Sequence, residues 1–140
     1  MMTAADKYGP WALIAGASEG TGRAFAHKVA AQGISCILIA RRAEPLNELA
    51  VAIHAANCVE CIAASVYLSL ADALEQIHAV VGSREVGLFI SNAGADTTNS
   101  RFLDSDIEDW IMQINRNVAT LVRCCHFRES RVDIAQGEGR

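Results

Sequence analysis

The chain has 140 residues, 51% apolar and 20% charged, which suits one packed domain and excludes a disordered tail or a two-domain protein. A net charge of −4 and the scatter of its 12 Lys and Arg residues exclude the clustered basic surface that nucleic acid or an anionic membrane selects. Apolar runs such as Ile37 to Ala40 fall far short of the roughly 18 residues of a membrane span, and the opening Met1 to Lys7 has no basic stretch followed by an apolar one, so a cytoplasmic location is expected.

Trp11 to Ala15 is a short apolar run that closes on a glycine-rich stretch, which predicts a first strand. From Gly22 the apolar residues take helical spacing, with Gly33 in the place of a C-terminal cap. Cys36 to Ala40 predicts a second strand, ended by Arg41 and Arg42, and Pro45 stands in the first turn of a helix running to Ala56. Val59 to Ser65 predicts a third strand. Ser69 with Asp72 has the spacing of a capping box opening a helix to Val81, stopped by Gly82. Val86 to Ser91 predicts a fourth strand, a polar loop runs from Asn92 to Ser100, and Ser105 with Glu108 is a second capping box before a long helix from Ile107 to about Phe127.

Strands that alternate with helices mean βαβ units and a parallel sheet covered on both faces, so the fold class is α/β, doubly wound, with about four strands. Right-handed crossovers place them in the order 3-2-1-4. This leaves strand four as an uncovered edge of Leu88, Phe89 and Ile90, which natural sheets avoid, so a fifth strand is missing from the pattern. The expected domain is 1–127, and 128–140 reads as a polar tail without apolar period.

Three places carry chemistry. Between the first strand and its helix stands Gly16-Ala17-Ser18-Glu19-Gly20-Thr21-Gly22, where glycines let the backbone approach a pyrophosphate held by free N–H groups and the helix dipole. Gly16, Ser18, Gly20, Thr21 and Gly22 are the candidates for that cradle. Arg41 and Arg42 follow strand two, where a dinucleotide fold meets the adenosine ribose. An acidic residue there binds a 2′-hydroxyl and arginine suits a 2′-phosphate, so NADP is favoured over NAD, the alternative being a solvated strand end. Asn92, Ala93 and Gly94 follow strand four on the crevice side of the sheet, where an amide side chain with small neighbours can hold backbone and cofactor together, or simply make a turn.

Together these spacings resemble the short-chain dehydrogenase/reductase family, with its Rossmann-type fold, over about Lys7 to Phe127. Gly16, Gly20, Gly22, Asn92, Ala93 and Gly94 match the family's Thr-Gly-x-x-x-Gly-x-Gly and Asn-Asn-Ala-Gly, while Ala15 and Ser91 depart from them. The opening Lys7 to Gly16 also resembles the NADPH-dependent steroid and long-chain 3-oxoacyl reductase branch. The resemblance implies hydride transfer between nicotinamide and a small carbonyl or alcohol substrate, self-association through the long helix, and a relay asparagine seven residues beyond an anchor, as Asn117 lies beyond Trp110; Asn115 competes for that role. After strand three the family usually has an Asp at the adenine, and Tyr67 aligns there. The family's catalytic Tyr-x-x-x-Lys pair is not matched: the tyrosines are Tyr8 and Tyr67, the residues four beyond them are Ala12 and Ala71, and the lysines are Lys7 and Lys28.

The resemblance therefore implies the cofactor-binding part of an NADP-dependent oxidoreductase. The alternatives are a catalytically inactive nucleotide-binding module, the product of an interrupted gene, and a doubly wound domain for another adenosine ligand. The five cysteines read as small core residues, without a structural disulfide. Cys58 and Cys61 have metal-like spacing, but an expected strand would send their thiols to opposite faces, and Cys124-Cys125 cannot converge on one ion. His27, His54, His78 and His126 fall singly on four helices, and no metal site is expected.

Overall fold

The computed structural model describes residues 1–94 and 99–126. Four strands, β1 (Trp11–Ala15), β2 (Ser35–Ala40), β3 (Cys61–Ser65) and β4 (Val86–Ser91), form one parallel sheet in the order β3-β2-β1-β4, as right-handed crossovers require. Helices α1 (Ala4–Tyr8), α2 (Gly20–Ala30), α3 (Ala43–Asn57), α4 (Ala73–Val81) and α5 (Ile107–Ile114) connect or flank them. The short α1 is not among the expected elements. It rests on a reciprocal cap in which Asp6 N–H donates to Thr3 Oγ1 at 3.1 Å and Thr3 N–H donates to Asp6 Oδ2 at 2.8 Å.

Period-two alternation sends the side chains of the inner strands to two cores. Ala12, Ile14, Cys36 and Leu38 pack on one face with Val29 of α2 and Leu46, Leu49 and Ile53 of α3. On the other face, Leu13, Ala15, Ile37 and Ile39 meet Ile77 and Val81 of α4 and the distant Cys124. Each fully buried Ile or Leu contributes about 1.5–3 kcal/mol, so Ile14, Ile37, Leu38 and Ile39 of β1 and β2 share the burden of stability with Leu46, Leu49 and Ile53 of α3. β4 is an edge strand as expected, and Leu88, Phe89 and Ile90 are only half-buried. Its pairing with β1 slips between Trp11 and Ala12, and at Gly87 a Cβ would stand 1.5 Å from the carbonyl oxygen of Tyr8. Only a glycine lets the end of α1 cross there.

Several boundaries differ from expectation. β3 begins at Cys61 rather than Val59, because Cys58 caps α3 in the left-handed conformation at φ 56. The two thiols therefore do not share a strand: Cys58 is exposed and Cys61 half-buried. Among the described residues no group of three potential metal ligands occurs, and no helix is long and apolar enough to cross a membrane. Ser69 does not open α4. The N-cap is Asp72, whose carboxylate accepts from Gln76 Nε2 at 2.9 Å, after turns closed by Leu70 N–H to Tyr67 O and Ala73 N–H to Leu70 O. The N-cap of α5 is Asp106 rather than Ser105, whose hydroxyl pairs with Ser100 instead. The long helix is also interrupted: α5 gives way to a π-helical turn at Asn115–Ala119 before α-helix resumes to residue 126. The polar tail and the end of the expected helix at Phe127 lie outside the described residues.

Packing is also very tight where β1 turns into α2. A Cβ on Gly22 would stand 1.9 Å from the Gly16 carbonyl oxygen and 2.8 Å from Asn92 Nδ2, and one on Gly16, at φ 78, would stand 2.6 Å from the Ala93 nitrogen. Gly20, at φ 58, has nothing within 4 Å of its Cβ direction.

Two predictions follow from this packing. Gly22→Ala should lower unfolding free energy by about 3 kcal/mol through overpacking, whereas Gly20→Ala should cost about 1 kcal/mol through backbone strain alone. Urea midpoints of the two variants, compared with the wild type, measure both. Burial pushes the Cys36 thiol up to about 12 and the Cys61 and Cys124 thiols up to about 11, against an ordinary value of 9.0. The unfolded chain therefore releases protons that the folded one keeps, so stability holds below about pH 9 and falls as pH rises toward 12. Cys36→Ala should flatten that alkaline decline in a series of urea midpoints, and an unchanged slope would refute it.

Candidate functional site

At the C-terminal edge of the sheet a crevice of about 220 Å³ opens between the first and second βα turns and the end of β4. Gly16, Ser18 and Glu19 line it from the first turn, Ala40, Arg41 and Arg42 from the end of β2, Val66, Leu68 and Ser69 from beyond β3, Asn92 to Gly94 from beyond β4, and Arg116 from the π-helical turn. Open doubly wound sheets bind ligands at this edge, where the strand order reverses on either side of β1.

The glycine turn divides its work. The Gly16 and Ala17 N–H groups donate to Ile39 O at 2.7 and 3.2 Å, so they tie the turn to β2 and are not donors for a ligand. Gly16 and Gly22 serve by having no side chain: their mutual approach seats the start of α2 against the end of β1. The donors left for an anion are those of the first turn of α2, which have no intrahelical acceptor. The N-cap residue Glu19 makes no side-chain cap bond to them. Gly20 and Thr21 are exposed there, Gly22 is buried, and none of the three lines the crevice itself. A diphosphate suits this uncapped helix start and the bare Cβ direction of Gly20.

Arg41 and Arg42 are exposed, and Arg42 Nη2 lies 2.9 Å from Glu19 Oε2 with side chains 57% and 78% exposed. A pair so open to solvent contributes about 1 kcal/mol or less, so a stronger anion can displace the carboxylate. Asn92 Nδ2 donates to Gly16 O at 3.2 Å, joining the end of β4 to the first turn across 76 residues of chain. The Asn117 carboxamide lies against Gly94, 2.5 Å from where a Cβ would stand, but Asn117 does not line the crevice. The backbone carbonyl of Asn115 lies 2.8 Å from Thr120 Oγ1, sharing that hydroxyl with Leu68 O.

Neither tyrosine reaches the crevice. Tyr67 is 52% exposed while its neighbours Val66 and Leu68 turn inward. Tyr8 sits at the opposite edge of the sheet beside Gly87, with Lys7 Nζ 5.1 Å from its ring centre. The residues that the sequence motifs did not single out are Glu19, Ala40, Val66, Leu68, Ser69 and Arg116. Their only signal is position at or beyond the end of a strand or, for Arg116, beside Asn117.

Residues 10–139 match the family described as short chain dehydrogenase. The 7beta-hydroxysteroid dehydrogenase of Collinsella aerofaciens is 35% identical over 138 residues, which are 99% of this chain and 52% of that protein. A solved structure concerned with 7beta-hydroxysteroid dehydrogenase stereoselectivity superposes with a TM-score of 0.89 at 34% identity, covering 99% of this chain and 52% of the other. A short-chain dehydrogenase from Sphingobium yanoikuyae in complex with NADPH gives a TM-score of 0.82 at 27% identity, covering 93% of this chain and 50% of the other. The chain thus spans about half the length of the relatives it matches. With the sheet order, the glycine turn and these likenesses in agreement, the chain belongs to the short-chain dehydrogenase family.

Proposed function

We propose that this chain is the dinucleotide-binding part of an NADP-dependent oxidoreductase acting on a carbonyl or alcohol group. The observation that carries the reading is one crevice lined jointly by the first glycine turn, Arg41 and Arg42, and Asn92 to Gly94. The uncapped start of α2 with Ser18, Gly20 and Thr21 would hold the pyrophosphate, Arg41 and Arg42 the 2′-phosphate, and Asn92, Ala93 and Gly94 the adjoining backbone. Asn117, set against Gly94, would orient a relay water. When bound, the cofactor supplies the hydride chemistry. The Sphingobium yanoikuyae relative is described in complex with NADPH, which agrees with the phosphorylated cofactor.

Since the chain spans about half of its relatives' length, the substrate and the proton donor belong to the reading of a whole protein. The second reading, a nucleotide-binding module without turnover, is favoured by the exclusion of Tyr8 and Tyr67 from the crevice lining. The family's self-association would use the exposed apolar stripe of Ile107, Ile111, Ile114 and Val118, whose spacing matches a helix-packing seam.

Calorimetric titration of the chain with NADPH, NADH and S-adenosylmethionine tests this. NADPH should bind at least about tenfold more tightly than NADH, as a charge-assisted arginine–phosphate contact implies, and Arg42→Ala should erase most of the difference. Equal affinities for NADPH and NADH would defeat the 2′-phosphate assignment. Preference for S-adenosylmethionine would defeat the dinucleotide reading altogether.

A further inference from the structure

The crevice holds one cation that neither the glycine turn nor the end of β2 explains. Arg116 is half-buried on the π-helical turn and lines the same space as Val66, Leu68 and Ser69. Four residues on, Thr120 is buried and its hydroxyl donates to Leu68 O at 2.8 Å, with Asn115 O equally near. Residues four apart lie on one side of a helix. The bond that pins Thr120 to the segment beyond β3 therefore also presents Arg116 to that segment.

The wall it meets is apolar. Val66 and Leu68 are 2% and 7% exposed, and Tyr67 between them points away at 52% exposure. The Val66 and Leu68 side chains offer the edge of a purine no acceptor, but an apolar surface opposite a planar guanidinium can hold its two faces. We propose that Arg116 determines adenine affinity in this chain, its guanidinium stacking on a base seated against Val66 and Leu68. The proposal rests on the dinucleotide reading of the crevice and deepens it at the adenine end.

Titration of the full chain with 2′,5′-ADP and 5′-AMP separates base contact from phosphate contact. Arg116→Ala should weaken both ligands by about fivefold to tenfold, the range of a desolvated cation–aromatic contact. Arg116→Lys should not restore them, because an ammonium keeps the charge and loses the planar face. Arg42→Ala should weaken 2′,5′-ADP strongly and 5′-AMP by less than about twofold. Circular dichroism and the urea midpoint establish that each variant folds, and Arg116→Gln replaces any that does not. Unchanged binding in Arg116→Ala, or full rescue by Arg116→Lys, overturns the stacking role while leaving the crevice reading intact. Failure of the wild type to bind either ligand overturns both.

Discussion

The contact on which the site depends is the approach of the Gly22 backbone to the carbonyl of Gly16, a separation that leaves no room for a side chain. It sets α2 directly onto the end of β1, so that the helix begins at the mouth of the crevice rather than a turn away from it. The same carbonyl accepts from Asn92, which brings the end of β4 to the same point. Two segments far apart in sequence are thus fixed to one oxygen atom. The first-turn amides of α2, Arg41 and Arg42, and the backbone beyond β4 acquire their relative positions from that arrangement, and the buried runs of β1 and β2 hold it rigid.

Electrostatics act on a smaller scale than the net charge suggests. The chain is acidic overall, yet Arg41, Arg42 and Arg116 all line one crevice, with Glu19 as the acidic residue among its lining. Charges at this exposure are screened beyond about 8–10 Å in physiological salt, so the distant carboxylates matter little to a ligand there. The Arg42–Glu19 pair keeps a cation poised at the crevice without holding it strongly. An incoming dianionic phosphate meets an arginine whose existing partner is weak.

What was legible in the sequence follows from which interactions are local. The strands could be read because their burial on both faces demands continuous apolar runs, and their order followed from crossover handedness. The start of α4 could not, because Asp72 offers the same N-cap chemistry as Ser69, and turns at residues 67–73 decide between them. Ser105 lost its expected role to a hydroxyl partner in Ser100, a contact that no periodicity reveals. The spacing of Cys58 and Cys61 suggests one strand for both, but the end of α3 takes Cys58 into the left-handed region. The sequence marks the glycine turn as a candidate cradle, while the division between Gly16 and Gly22 as steric glycines and the α2 amides as available donors requires coordinates. Arg116 was hidden because a single arginine on an amphipathic helix reads as solvated, and the π-helical turn that redirects it leaves no trace in a 3.6-residue pattern.

On the proposed reading, holding a cofactor and supplying a proton are separable tasks in this fold. Every group placed at the crevice comes from strands β1 to β4, their following turns or the helical turn beside Asn117. Tyr8 and Lys7 do meet each other, but where strands begin, at the opposite end of the strands from the crevice. A phenol there cannot come within hydrogen-bond reach of a carbonyl presented at the crevice, and geometry precedes pKa in choosing an acid. On the proposed reading, binding energy from a dinucleotide would be realised at the crevice whether or not a catalytic centre is completed there. On that reading, affinity for a dinucleotide rather than turnover is what the residues lining the crevice would supply.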